Sequence, residues 1–183
     1  MLNAKVKALL YADIIWLFAE GMLGPLFAVF SEKVGGNVLN ISWAWATYLL
    51  VTGVMMVLVG MISDNMIKKE VLVVAGYVLN ALLTFAYLLV SKPDQLLLVQ
   101  AGLGVAAALA TPTWNALYSK DGEARMNGSK WGLADGMSAI STGIAIIVGG
   151  VIVTYASFSV LFLIMGTIQM ISVTALLPIF KVE

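Results

Sequence analysis

The sequence predicts an all-α membrane protein of six transmembrane helices, and three observations predict it. Of 183 residues, 61% are hydrophobic and only 11% charged, with a mean hydropathy of +0.99, whereas about a quarter of a soluble domain is charged. A fold of this size has too little interior to hide that much apolar surface, so the lipid bilayer takes up part of it. The apolar residues fall into six runs, each close to the roughly 20 residues that a helix needs to cross the hydrocarbon core. None of the runs alternates with the period of two that a membrane barrel strand shows.

The first run covers residues 8–30. It exceeds the roughly 7–15 residues of a signal-peptide core and carries Asp13 and Glu20, so it is expected to be a retained span. The second, 43–62, follows a polar connection whose Gly35-Gly36-Asn37 signals a turn. The third, 71–90, follows a segment holding Asp64, Lys68 and Lys69. The fourth, 96–118, follows Lys92, Pro93 and Asp94. The fifth, 133–155, comes after the longest polar segment of the chain. Only Ala156-Ser157 separates it from the sixth, 158–180, so these two spans are expected to form an antiparallel pair. No connection is long enough to fold alone, so residues 1–183 read as one six-helix domain.

The basic residues set the orientation. With both termini cytoplasmic, Lys5, Lys7, Lys68, Lys69, Lys120, Arg125, Lys130 and Lys181 lie inside, and only Lys33 and Lys92 lie outside. The chain has no cysteine and no histidine, which removes disulfides, thiol catalysis, thiolate metal sites, Ser-His-Asp triads and histidine relays. An enzyme is not expected, nor a cofactor or metal. The zero net charge implies no nucleic-acid partner.

Asp13 and Glu20 are the sharpest chemical feature. Seven residues apart, they share one helical face, about 10 Å from each other along the axis. A carboxylate within a span costs about 2.5–3.5 kcal/mol on insertion scales, so both are expected to face a wet cavity or a partner. Glu20, nearer mid-membrane, is the expected proton- or cation-binding residue, while Asp13 reads first as a structural carboxyl. In span four, Gln100, Gly104, Ala107, Thr111 and Asn115 form a small-and-polar stripe, with Trp114 beside it. It suits a solute path or an interhelical hydrogen-bond seam equally well. Tyr48 and Thr52 in span two, and Ser138 and Thr142 in span five, are candidates to complete the wall. Asn80 and Thr84 share an inward face of span three.

Gly21, Gly24 and Pro25 in span one are echoed by Gly102, Gly104 and Pro112 in span four. Interrupted helices in corresponding repeat positions point to a transporter site; ordinary kinked packing helices give the same pattern.

Between spans two and three lies Gly60-Met-Ile-Ser-Asp64-Asn-Met-Ile-Lys68-Lys69. This segment resembles the cytoplasmic loop signature of the major facilitator superfamily, Gly-x-x-x-Asp followed by a basic pair. Gly60, Asp64, Lys68 and Lys69 match it, whereas Asn65 and Ile67 depart from it. Gln100-Ala-Gly102-Leu-Gly104 with Thr111-Pro112 is similar to the family's fourth helix. Arg125-Met-Asn-Gly128 with Trp131-Gly132 is similar to the start of its fifth, and Gly143 with Gly149-Gly150 to that helix's glycine-rich stretch. The arginine common in helix four is absent. The resemblance covers one six-helix half of the usual twelve.

It implies a bundle of two inverted three-helix repeats, with spans one, two, four and five around a central cavity and three and six outside. It implies a gate latched by Asp64, for which Arg125 is the expected partner. It further implies a secondary transporter that moves a small solute, with the acids leaning towards proton or cation coupling. Alternating access needs two bundles, and a homodimer with both N-termini inside has the right axis, as has a separate second half. The alternatives are a non-transporting membrane subunit and a truncated transporter half.

Overall fold

The computed structural model describes residues 4–63, 68–120 and 127–180. Among them there is no strand. Seven α-helices follow one another: α1 Ala4–Gly21, α2 Leu26–Lys33, α3 Val38–Ser63, α4 Lys69–Ala86, α5 Pro93–Lys120, α6 Asn127–Tyr155 and α7 Phe158–Leu176. Short 3-10 turns follow α4 and α7. Among the described residues, α3 to α7 are each long and apolar enough to cross a membrane. The expected first span is not one straight rod. It breaks at 21–25, and α1 and α2 meet at a bend of 47°. Pro25 sits at the start of α2 and has no N–H to continue the ladder of α1; if the bent pair is one span, the total is six.

Pro112 has the opposite outcome. It lies inside α5, which continues to Lys120. The Thr113 hydroxyl donates to the Leu109 and Ala110 carbonyls, which keeps carbonyls of the disturbed turn satisfied away from water. The two Gly/Pro segments therefore match in sequence without matching in shape.

Side-chain contacts fix the arrangement of the ends. Lys5 pairs with Glu70 at 2.6 Å, so α1 and α4 begin side by side. Trp114 Nε1 donates to the Leu9 carbonyl, which brings the last turns of α5 to the first turns of α1. Tyr118 and Lys130 clasp one another: the Tyr118 hydroxyl donates to the Lys130 carbonyl, and the Lys130 ammonium donates to the Tyr118 carbonyl and lies over its ring. Ser157 caps α7 by accepting from the Val160 amide, so the two-residue turn expected before the sixth span is present.

Helix α5 packs against both α3 and α4, α4 also packs against α7, and α1 lies against α6 and α7. Small residues permit these close approaches. A Cβ at Gly76 would sit 2.7 Å from the Ala106 carbonyl oxygen, and one at Gly104 2.8 Å from that of Tyr48. Ser172 and Ser141 tie α7 and α6 to α1 through the Ala12 and Ile14 carbonyls. Two apolar cores result. One gathers Phe30, Tyr87, Leu96, Phe158 and Phe162, and the other gathers Leu9, Val73, Tyr77, Trp114 and Tyr118.

Candidate functional site

Each core borders a cavity, and the two acids of α1 fall in different ones. The first cavity encloses about 210 Å³ and is lined by Glu20, Gly24 and Phe27, by Trp45 and Tyr48 of α3, and by Asn80, Thr84, Tyr87, Gln100 and Gln169. The Glu20 side chain is half-buried and has no hydrogen bond or ion pair among the described residues. Around it the amides and hydroxyls bond to one another. Gln100 Nε2 donates to the Tyr87 hydroxyl at 3.1 Å, and Gln169 Nε2 to Asn80 Oδ1 at 3.1 Å. The Thr84 hydroxyl donates to the same Asn80 oxygen at 3.5 Å. Gln169 Oε1 is buried with no partner. Aromatic packing holds the wall: Tyr87 stacks on Phe162, and Trp45 leans on both Phe27 and Tyr48.

The second cavity, about 270 Å³, is lined by Asp13, Trp16, Tyr77, Thr111, Trp114, Asn115, Trp131, Asp135 and Ser138 among others. Here the carboxylate is partnered: the Tyr77 hydroxyl donates to Asp13 Oδ1 at 2.9 Å. Trp16 stacks on Tyr77 with ring centroids 5.1 Å apart. One helical turn beyond this pair, Glu20 on α1 and Asn80 on α4 already line the other cavity, so the two rings stand at the boundary between the cavities.

The residues expected to share one solute path therefore divide. Glu20, Gln100 and Tyr48 line the first cavity, and Asp13, Thr111, Trp114, Asn115 and Ser138 the second. Thr52 lines neither; its hydroxyl donates to the Tyr48 carbonyl 2.7 Å away, within α3. The span-four stripe is continuous in sequence and interrupted in space. Gly104 and Ala107 are buried, Gly104 against the α3 backbone, so only the polar ends of the stripe reach a cavity. Thr142 packs beside Gly21. Spans three and six, expected outside a central cavity, do contribute to this one. Asn80, Thr84 and Tyr87 from the third run and Met165 and Gln169 from the sixth line the Glu20 cavity, because α4 and α7 pack on each other and carry their polar side chains inward.

Gln169 was not singled out by sequence reasoning, although a lone amide in so apolar a span is a detectable signal. Tyr77 and Tyr87 were missed because a buried tyrosine reads as core until its hydroxyl partner is known. Of the gate residues, Gly60 is half-buried near the end of α3, Lys68 is exposed, and Lys69 opens α4. Asp64 and Arg125 lie outside the described residues.

The comparisons agree with this architecture. A family model described as Major Facilitator Superfamily matches residues 12–183. A protein of Methanocaldococcus jannaschii described as an uncharacterized MFS-type transporter is 22% identical over 176 residues, which are 93% of this chain and 45% of that protein. The chain thus spans less than half the length of this relative.

Proposed function

The chain belongs to the major facilitator superfamily, and from that premise we propose that it is one half of a transporter in the cytoplasmic (inner) membrane. It moves a small solute by alternating access, either as a homodimer or with a second six-helix half. Glu20 is the solute- or ion-binding carboxylate, and proton coupling, if present, runs through it. One observation carries this reading. The Glu20 side chain borders a cavity and is left without a partner by every described residue. A structural carboxyl at this depth would be tied down, because an unpaired one is costly in a span.

The need for a second bundle has its own support. Only 6% of the α3 span and 17% of the α6 span are buried, against 44% for α4 and α7 and 56% for α5. The described glycines of α6 at 132, 136, 143 and 150 have open space where a Cβ would point, as suits the close approach of another helix. In this arrangement the termini are cytoplasmic, and Asp64 and Arg125 form the latch on that side.

The test is uptake by proteoliposomes over a panel of small solutes, with Glu20→Gln as control. Concentrative uptake that the substitution abolishes supports the reading, and uptake unchanged by it removes Glu20 from the site. The cysteine-free chain gives a clean background for Gly143→Cys cross-linking. A cross-link between two copies, or to a second half, is expected; a strictly monomeric protein in liposomes that still transports would overturn the two-bundle arrangement. Labelling of single cysteines at Lys33 and Lys68 from opposite compartments tests the orientation.

A further inference from the structure

We propose that the Glu20 cavity takes a protonated amine carrying a compact apolar body. This deepens the transport reading of the same cavity and rests on it for its cellular meaning. Gln100 and Gln169 each give one amide N–H, and Thr84 its hydroxyl, to partners within the wall. The two groups of this wall that most need a partner are the Glu20 carboxylate, without one among the described residues, and Gln169 Oε1, orphaned on a side chain only 1% exposed. Both are acceptors. Buried polar groups are almost always satisfied, and a buried charge must be paired. The missing component is therefore a molecule that brings several N–H donors together with one positive charge.

The rest of the wall sets the body of that molecule. Phe27, Trp45, Tyr48 and Tyr87 line the cavity and offer ring surface, whose faces attract cations. The volume of 210 Å³ equals roughly seven waters at about 30 Å³ each, room for one ring and a short amine arm. A neutral alcohol brings no charge. A quaternary ammonium brings charge without an N–H for Gln169. A bare inorganic cation leaves the aromatic wall unfilled.

The test uses the full chain in lipid nanodiscs, with 2-phenylethylamine as probe. Binding is read by tryptophan fluorescence, to which Trp45 is positioned to report, and by thermal shift. The amine is expected to bind at least tenfold more tightly than its trimethylammonium analogue and than 2-phenylethanol. Glu20→Gln should weaken amine binding at least tenfold, and Gln169→Leu about threefold, while alcohol binding stays unchanged. Ligand-free melting shows whether each variant is folded. If Glu20→Gln is not, Glu20→Asp, which should retain preference for the amine over the alcohol, carries the test with Gln169→Leu.

Equal binding of alcohol and amine, an analogue as tight as the amine, a thermal shift reproduced by sodium chloride alone, or amine binding that survives Glu20→Gln would each overturn the proposal. Because the readout is equilibrium binding, its failure is separable from that of transport. Vesicles that accumulate another solute without any amine binding defeat this inference alone. Amine binding without uptake of any solute defeats the transport reading and leaves this one standing.

Discussion

The same residue type does opposite things on two sides of this bundle. Where α4 meets α5 and α7, glycines lie against neighbours so closely that no side chain fits. A Cβ at Gly76 would fall 2.8 Å from the Ala110 amide, and one at Gly166 2.6 Å from the Phe85 ring. On the outer face of α6, Gly136 and Gly143 face open space, flanked by exposed Ile140, Ile144 and Ile147. Helix α3 repeats this with Gly53 between exposed Leu49, Leu50, Val54 and Val57. Lipid chains are as apolar as leucine, so burying apolar surface does not by itself drive helices together in a membrane. Close backbone approach does, and it requires small residues. The first set has found its partners inside the chain, and the second has not.

The largest expected effect breaks this contrast on a single helix. Gly149 and Gly143 are both in α6, on different faces. A Cβ at Gly149 would overlap the Met22 carbonyl just after α1, and backbone cannot step aside as a side chain tip can. Gly149→Leu should therefore cost more than the roughly 1–3 kcal/mol of ordinary over-packing and leave little folded protein after extraction. A Cβ at Gly143 would meet nothing within 4 Å, so Gly143→Leu should shift stability by no more than about 0.5 kcal/mol, while lowering cross-linking to a second bundle. Thermal melts followed by size-exclusion chromatography measure both. Equal damage from the two would mean that the open face is not open.

How far this contrast was legible in the sequence depends on how local its cause is. The six apolar runs are local, and they mark the helices well. That Glu20, Gln100 and Tyr48 would meet followed from treating polar groups in a span as inward-facing, and they do share a cavity. The break at 21–25 was not legible as a break, because Pro25 and Pro112 look alike in sequence. What differs is their setting: Pro112 stays within α5, whereas α2 bends away after Pro25 and packs Phe30 against Phe158 and Phe162. The Asn80–Gln169 bond was not legible either, since 89 residues separate the partners. Nor was the division of the span-four stripe, which depends on where α3 crosses it at Gly104.

The two acids of α1 sharpen the comparison at an intermediate level. Asp13 is held by Tyr77, and Glu20 is held by nothing among the described residues. Tyr77→Phe removes one hydrogen bond to a carboxyl and should cost about 1.5 kcal/mol of stability. Glu20→Gln removes a half-buried carboxyl with no partner among the described residues, so stability should hold or rise by up to about 1 kcal/mol while transport is lost. A stability–function split at Glu20 and none at Tyr77 would mark one acid as working and the other as structural. A destabilised Glu20→Gln protein would instead place Glu20 in the framework.

The smallest effect concerns the Lys5–Glu70 pair, which joins the starts of α1 and α4. Its length of 2.6 Å and side-chain exposures of 19% and 21% invite the view that charge closes this end. The packing argues otherwise. Val6, Leu9 and Val73, close by on the same two helices, are fully buried. Ion pairs with this much exposure contribute about 0–1 kcal/mol. Lys5→Met, which keeps the apolar stem, should therefore cost about 0.5 kcal/mol, and high salt should erase the difference. A loss above about 2 kcal/mol, independent of salt, would mean that charge and not close packing of small and apolar residues holds the two helix starts together.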